Sequence, residues 1–202
     1  MTLNNDKKAL VQNAKAFCSH LLRSRLPPYL VYHNYQHTYA VAKAAHEIGH
    51  NSGLPEGELQ IVAVAAWFHD TGYSEKYKGH EDVSKLLAAA FLQDQGVDKN
   101  FQARVAACIE ATRQPQNPQT LLEQVLCDAD LSHLGKQTFP VSSQKLKKEM
   151  ELMKGILIPE QEWHRQNIFF LESHTFFTPY AKDIYSRQQY KNILRERKLL
   201  LH

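Results

Sequence analysis

The stretch ELQIVAVAAWFHD, residues 58–70, constrains this chain more than any other. It is apolar without a break from Ile61 to Phe68 and then ends on His69 and Asp70. Eight apolar residues are too few for a bilayer span, which takes about 18. Apolar nearly all round, the stretch fits a helix buried centrally among others. The polar pair at its end is out of place there. An unpaired carboxylate at that depth is costly, so Asp70 should face a strong partner.

Helical periodicity fills the rest of the chain. Leu10, Val11, Ala14, Phe17, Cys18, Leu21 and Leu22 recur at three- and four-residue steps and predict a first helix over about 5–24. Pro27 and Pro28 stop it, and PPYLVYHNYQH follows as a tight aromatic segment. A second helix over about 35–50 presents Val41, Ala45 and Ile48 on one face and ends at Gly53. The buried stretch breaks at Thr71–Gly72, and a polar loop leads to a fourth helix over about 80–95. Asp98 can cap a fifth through Arg113, and QPQNPQT is a loop because its prolines exclude a helix interior. LLEQVLCDADLSHLG reads as a sixth helix stopping at Gly135, and three more patterns cover about 142–154, 160–175 and 180–200. No strand pattern, repeat or low-complexity tract is present. The expectation is one all-α domain of about nine helices over residues 1–202, its core within about 30–135 and its carboxy-terminal helices over about 142–202.

Composition limits the partners. With 24 basic against 21 acidic residues the net charge is +3, too small to argue for a nucleic-acid polymer. Three scattered cysteines, Cys18, Cys108 and Cys127, make neither a disulfide framework nor a zinc knuckle and read as reduced core thiols. The polar start MTLNNDKKAL carries no signal-peptide core. A cytoplasmic chain without a membrane segment is expected.

Eleven histidines stand out against that background. His33 and His37 are four apart and share one side if their segment is helical. Asp128 and Asp130 interrupt an otherwise apolar helix, as His69–Asp70 ends one. Imidazoles and carboxylates drawn from separate helices would form a mixed nitrogen and oxygen site, which suits manganese, iron, zinc or magnesium better than a soft metal. Each residue alone has a plainer reading as a hydrogen bonder, a cap or an ion-pair partner. Their order along the chain is what raises the set above those readings.

That order, His37…His69–Asp70…Asp130, resembles the HD-domain superfamily of metal-dependent phosphohydrolases. The resemblance runs through HTYAVAKAAHEIGHNSGL, AAWFHDTGY, GHEDVSKLLAAAFL, ATRQPQNPQTLLEQVLCDADLSHLG and FLESHTFFT, nearly the whole chain. Its longest blocks are similar to a bacterial branch described as predicted HD phosphohydrolases. It implies a compact all-α bundle and one divalent ion (manganese, iron, zinc, magnesium, cobalt or nickel) on His37, His69, Asp70 and Asp130. The family's Ala–Asp step before an apolar residue, here Ala129–Asp130–Leu131, selects Asp130. Asp128, about 200° away on the same helix, is then left for a neighbouring backbone or cation. There is no histidine three places after Asp70 and no His-His pair in residues 105–113, which favours one metal over two.

YHNYQH is similar to the YHNxxH element of cyclic-nucleotide phosphodiesterases, and this implies that His33 protonates the leaving oxygen. Imidazole titrates near neutrality, which suits that task; the plainer reading is a histidine that orients its loop. His80 and Glu81 open the helix after the polar loop and are candidate helpers, although Glu81 in a first turn also favours the helix dipole. Lys78 and Arg113 are either nucleotide contacts or solvated charges. The implied activity is hydrolysis of a phosphomonoester or phosphodiester of a nucleotide-like small molecule by metal-activated water. Two alternatives stand beside it. One is an HD module that binds metal and nucleotide without turnover. The other is a zinc protease on the HExxH match His46–Glu47–Ile48–Gly49–His50, against which Glu56 stands where an extended motif has its third histidine.

Overall fold

A computed structural model describes the backbone of residues 2–201 and the side chains of residues 9–201. Among the described residues there are nine α-helices and no strand. They are α1 (Thr2–Ser24), α2 (Tyr35–Asn51), α3 (Glu56–Phe68), α4 (His80–Asp94), α5 (Lys99–Ala111), α6 (Leu121–Asp130), α7 (Phe139–Lys154), α8 (Glu160–Ser173) and α9 (Pro179–Leu199). Short 3-10 segments, Thr71–Ser74 and Leu131–Gly135, follow α3 and α6. The all-α expectation holds.

Helix α3 is the axis of the bundle. It lies against α1, α2, α5 and α6, and every residue from Leu59 to Phe68 except Ala63 is buried. Phe68 closes an aromatic cluster with Phe17 and Phe91, at centroid distances of 5.7 and 5.3 Å. Several helix starts carry side-chain caps. Asn34 accepts from the Gln36 N–H, Asp98 from the Phe101 N–H and Thr178 from the Ala181 N–H. The three cysteines are free and buried, and burial pushes the Cys108 thiol up to about 12.

Two of the helix ends that differ from the sequence reading have a plain physical reason. The sixth helix was expected to run to Gly135; its α-helical part stops at Asp130 and the chain tightens into the 3-10 segment Leu131–Gly135. Asn192 of α9 holds that segment, its Nδ2 donating to the carbonyls of Leu134 and Lys136 at 2.7 and 3.0 Å. The seventh helix starts at Phe139 rather than about 142, because Pro140 sits in its first turn, where a missing N–H is harmless.

Gly72 fixes how α4 meets the end of α3. A Cβ there would lie 1.9 Å from the carbonyl oxygen of His80 and 2.9 Å from the Ser84 nitrogen, both backbone atoms. Gly72→Ala must therefore push away the first turn of α4, and the expected loss is about 2–3 kcal/mol. The midpoint of urea unfolding measures it. An unchanged midpoint would mean that α4 is free to shift.

The α8–α9 turn carries a pH dependence. His174 packs edge-on against Phe176 at 4.8 Å, and its Nε2 is buried without a hydrogen-bond partner. Burial pushes the imidazole from its ordinary 6.5 down to about 4. Between those two values the unfolded chain binds a proton that the folded chain refuses. Stability is therefore full above about pH 6.5 and falls as pH drops towards about 4. Unfolding of the wild type and of His174→Gln at pH 7 and 5 checks this. Equal losses in both proteins would remove His174 as a cause.

Candidate metal centre and adjoining cavity

Three helix ends place the ligand candidates. His37 lies in the first turn of α2, His69 and Asp70 follow the last residue of α3, and Asp130 closes α6. Helix ends project side chains past the barrel of the helix, so the four meet although they come from distant parts of the chain. His37 Nε2 is 3.2 Å from Asp130 Oδ1 and 3.3 Å from Asp70 Oδ2. His69 Nε2 is 3.2 Å from Asp70 Oδ2 and 3.6 Å from Asp130 Oδ1. His37, His69 and Asp70 form a group that could hold a metal ion, and Asp130 sits against both imidazoles.

The surroundings point the donor atoms inward. His69 Nδ1 lies 2.8 Å from the Ala66 carbonyl; an N–H on Nδ1 donating to that oxygen would free the Nε2 lone pair for a metal. His80 Nε2 approaches Asp70 Oδ1 at 3.3 Å, while the His80 ring stacks on Tyr73 at 3.8 Å. Asp70 Oδ2 and His69 Nε2 are left buried and without a hydrogen-bond partner. Two orphaned donor atoms converging at such a depth fit a divalent ion bound by nitrogen and oxygen. Burial works to lower the pKa of His37, but its hydrogen bonds to Asp130 and Asp70 raise it to about 9. Asp70 moves the other way: burial raises its pKa, and the imidazoles around it, His69 foremost, bring it well below the carboxylate range.

Asp128 faces elsewhere. Its Oδ1 accepts from the Phe177 N–H at 2.7 Å, and its Oδ2 accepts from the Thr178 N–H and hydroxyl at 2.8 and 2.7 Å. It ties α6 to the start of α9.

His33 lies beside the cluster, its ring 5.6 Å from that of His37 and 4.6 Å from that of Tyr73. Its Nδ1 is 2.5 Å from Glu149 Oε1. The backbone N–H groups of Tyr32 and His33 donate to Glu149 Oε2 at 2.8 and 2.9 Å, and the Tyr77 hydroxyl donates to Oε1 at 3.3 Å. Burial alone would raise the pKa of Glu149, but His33 and these donors hold its carboxyl below its ordinary value. No feature of KLKKEMELMK marks Glu149, which reads there as one solvated charge among several; the sequence reading missed it. Glu81 is buried, and its carboxylate accepts from Arg113 Nη1 at 3.0 Å. Arg113 also bonds Asp82 and Glu110, so it belongs to a carboxylate network rather than standing free.

Asp70, Asp130, His33 and His80 line one cavity of about 800 Å³. Lys78 and Arg113 line it too, and Leu134, Phe139, Leu146, Met153 and Phe170 are among its apolar lining residues. The HExxH residues are elsewhere: His46, Glu47 and His50 are exposed on α2, and Glu47 accepts from the Tyr180 hydroxyl at 3.0 Å.

The sequence profile of the HD domain matches residues 34–135, the span that contains His37, His69, Asp70 and Asp130. This chain belongs to the HD-domain family. HD domains bind divalent metals, in keeping with the His–His–Asp group. Among solved structures, YpgQ of Bacillus subtilis in complex with ADP is similar with a TM-score of 0.69 at 18% identity, over 96% of this chain and 95% of that one. A predicted HD superfamily hydrolase from an uncultured Thermotogales bacterium aligns with a TM-score of 0.62 at 20% identity, over 92% and 90% of the two chains. A Listeria innocua protein gives 0.65 at 16% identity, over 96% and 94%. A search of curated proteins finds no significant match. No helix among the described residues is long and apolar enough to cross a membrane.

Proposed function

We propose that this HD-domain protein is a metal-dependent phosphohydrolase acting on a phosphomonoester or phosphodiester of a nucleotide-like small molecule. The observation that carries the reading is the convergence of His37, His69, Asp70 and Asp130, with two buried donor atoms lacking partners, its two aspartates lining a cavity that His33 also lines. That the similar YpgQ structure contains ADP supports a nucleotide in such a cavity.

His37, His69, Asp70 and Asp130 would hold one divalent ion, which when bound supplies Lewis-acid charge and lowers the pKa of water. His80 fixes the carboxylate of Asp70 by occupying its other oxygen. His33 is the general acid. Glu149 takes the Nδ1–H, so the Nε2 end, which has no protein partner among the described residues, is the one that gives a proton to the departing oxygen. Glu149 is a positioning residue for it. Glu81, engaged by Arg113, sets the cavity rim and has at most an indirect part.

Purified protein is to be assayed with several divalent metals against a panel of nucleotides and simple phosphate esters, beside Asp70→Ala. Hydrolysis that requires a metal and is lost in Asp70→Ala is the expected outcome. Hydrolysis retained by Asp70→Ala would refute the assignment. Stoichiometric metal without turnover on the whole panel would favour a binding module.

A further inference from the structure

Away from the metal ligands, a polar network runs through α7, α8 and α9. Ser143 Oγ accepts from Trp163 Nε1 and from Asn167 Nδ2, both at 2.8 Å. The second N–H of Asn167 donates to Glu196 Oε2 at 2.9 Å, and His164 Nδ1 lies 2.7 Å from the same oxygen. Glu196 is only 2% exposed.

This network fixes the Asn167 amide in one orientation. A carboxylate accepts and cannot donate, so turning the amide over would set its carbonyl against Glu196. Both amide N–H groups are therefore consumed, and Oδ1 alone remains without a protein partner among the described residues. Ser143 is the complement: its oxygen already accepts twice, so its own hydroxyl proton is what it has left to give. Both residues line the cavity that Asp70 and Asp130 also line, as do the apolar Leu146, Met153 and Phe170. A fixed acceptor and an adjacent donor on an apolar wall remain unmatched until a ligand pairs them.

We infer that Asn167 Oδ1 and the Ser143 hydroxyl read the edge of a flat heterocycle that carries an amino group next to a ring nitrogen, with the amino group donating to Asn167. An adenine has such an edge. The inference rests on the phosphohydrolase reading for the placement of the phosphate, near the metal ligands, and adds what the α7 and α8 residues of the cavity lining select.

The test compares adenosine 5′-monophosphate with purine riboside 5′-monophosphate, which keeps the ring and lacks the amino group. Binding is measured by calorimetry with EDTA present, so that nothing turns over. The wild type is expected to bind the adenosine compound about fivefold more tightly, the effect of one neutral hydrogen bond. Asn167→Ala should abolish that preference while binding purine riboside 5′-monophosphate as the wild type does. The variant leaves no buried partner orphaned, because Ser143 keeps Trp163 and Glu196 keeps His164; Asn167→Ser serves as a second variant. Equal binding of the two nucleotides by the wild type, or a preference that survives in both variants, would overturn the inference. A clear preference in a protein that hydrolyses no phosphate ester would count against the catalytic reading alone, and turnover without preference against this inference alone.

Discussion

Replacing His33 by alanine is expected to lower kcat by about 10²–10⁴-fold, the usual contribution of a positioned general acid. Metal content and KM should stay near the wild-type values. The fold should survive, because Glu149 keeps the backbone N–H groups of residues 32 and 33 as donors. Glu149→Gln should cost less, about 10–100-fold in kcat, since the imidazole remains and only its orientation and tautomer are loosened. Steady-state kinetics on the best ester, with metal analysis of each variant, separates the possibilities. If His33→Ala turns over like the wild type, the imidazole merely organises its loop. If Glu149→Gln raises KM and leaves kcat alone, Glu149 shapes the cavity and does not position His33.

The second large effect divides two aspartates on one helix. Asp130→Asn removes a carboxylate from between His37 and His69 and should weaken metal binding more than about 100-fold, beyond what the loss of an outer partner does. The protein should stay folded, because no backbone donor depends on Asp130. Asp128→Asn should do the reverse. Its carboxylate accepts from the Phe177 N–H and from the Thr178 N–H and hydroxyl, and an amide nitrogen in place of either oxygen cannot accept. A buried donor is left unsatisfied at the α8–α9 turn, with an expected loss of about 2–4 kcal/mol. Metal titration and urea unfolding of both variants form the test. Metal binding retained by Asp130→Asn, or lost by a fully folded Asp128→Asn, would exchange the two roles.

Much of the fold was legible because helices announce themselves locally. The run Ile61–Phe68 could only be central, and Asp98 caps the fifth helix as its residue type and place predict. The ends of α3 and α6 were harder, since a 3-10 turn and an α-turn share nearly the same apolar spacing. Within the candidate site, His69–Asp70 and Asp130 stood out because polar residues interrupted apolar helices. Glu149, Ser143 and Asn167 gave no such signal. They sit on helices whose exposed faces are themselves charged or polar, and only the tertiary packing shows which polar residue turns inward. The HExxH match illustrates the converse, a local pattern that the fold leaves on an exposed face.

The account rests on one divalent ion held by His37, His69, Asp70 and Asp130. Calorimetric titration of Mn²⁺ into the metal-stripped protein and into Asp70→Ala tests it most directly. One ion bound per wild-type chain and none by the folded variant is the expected result. Binding by Asp70→Ala with wild-type affinity and stoichiometry would contradict it.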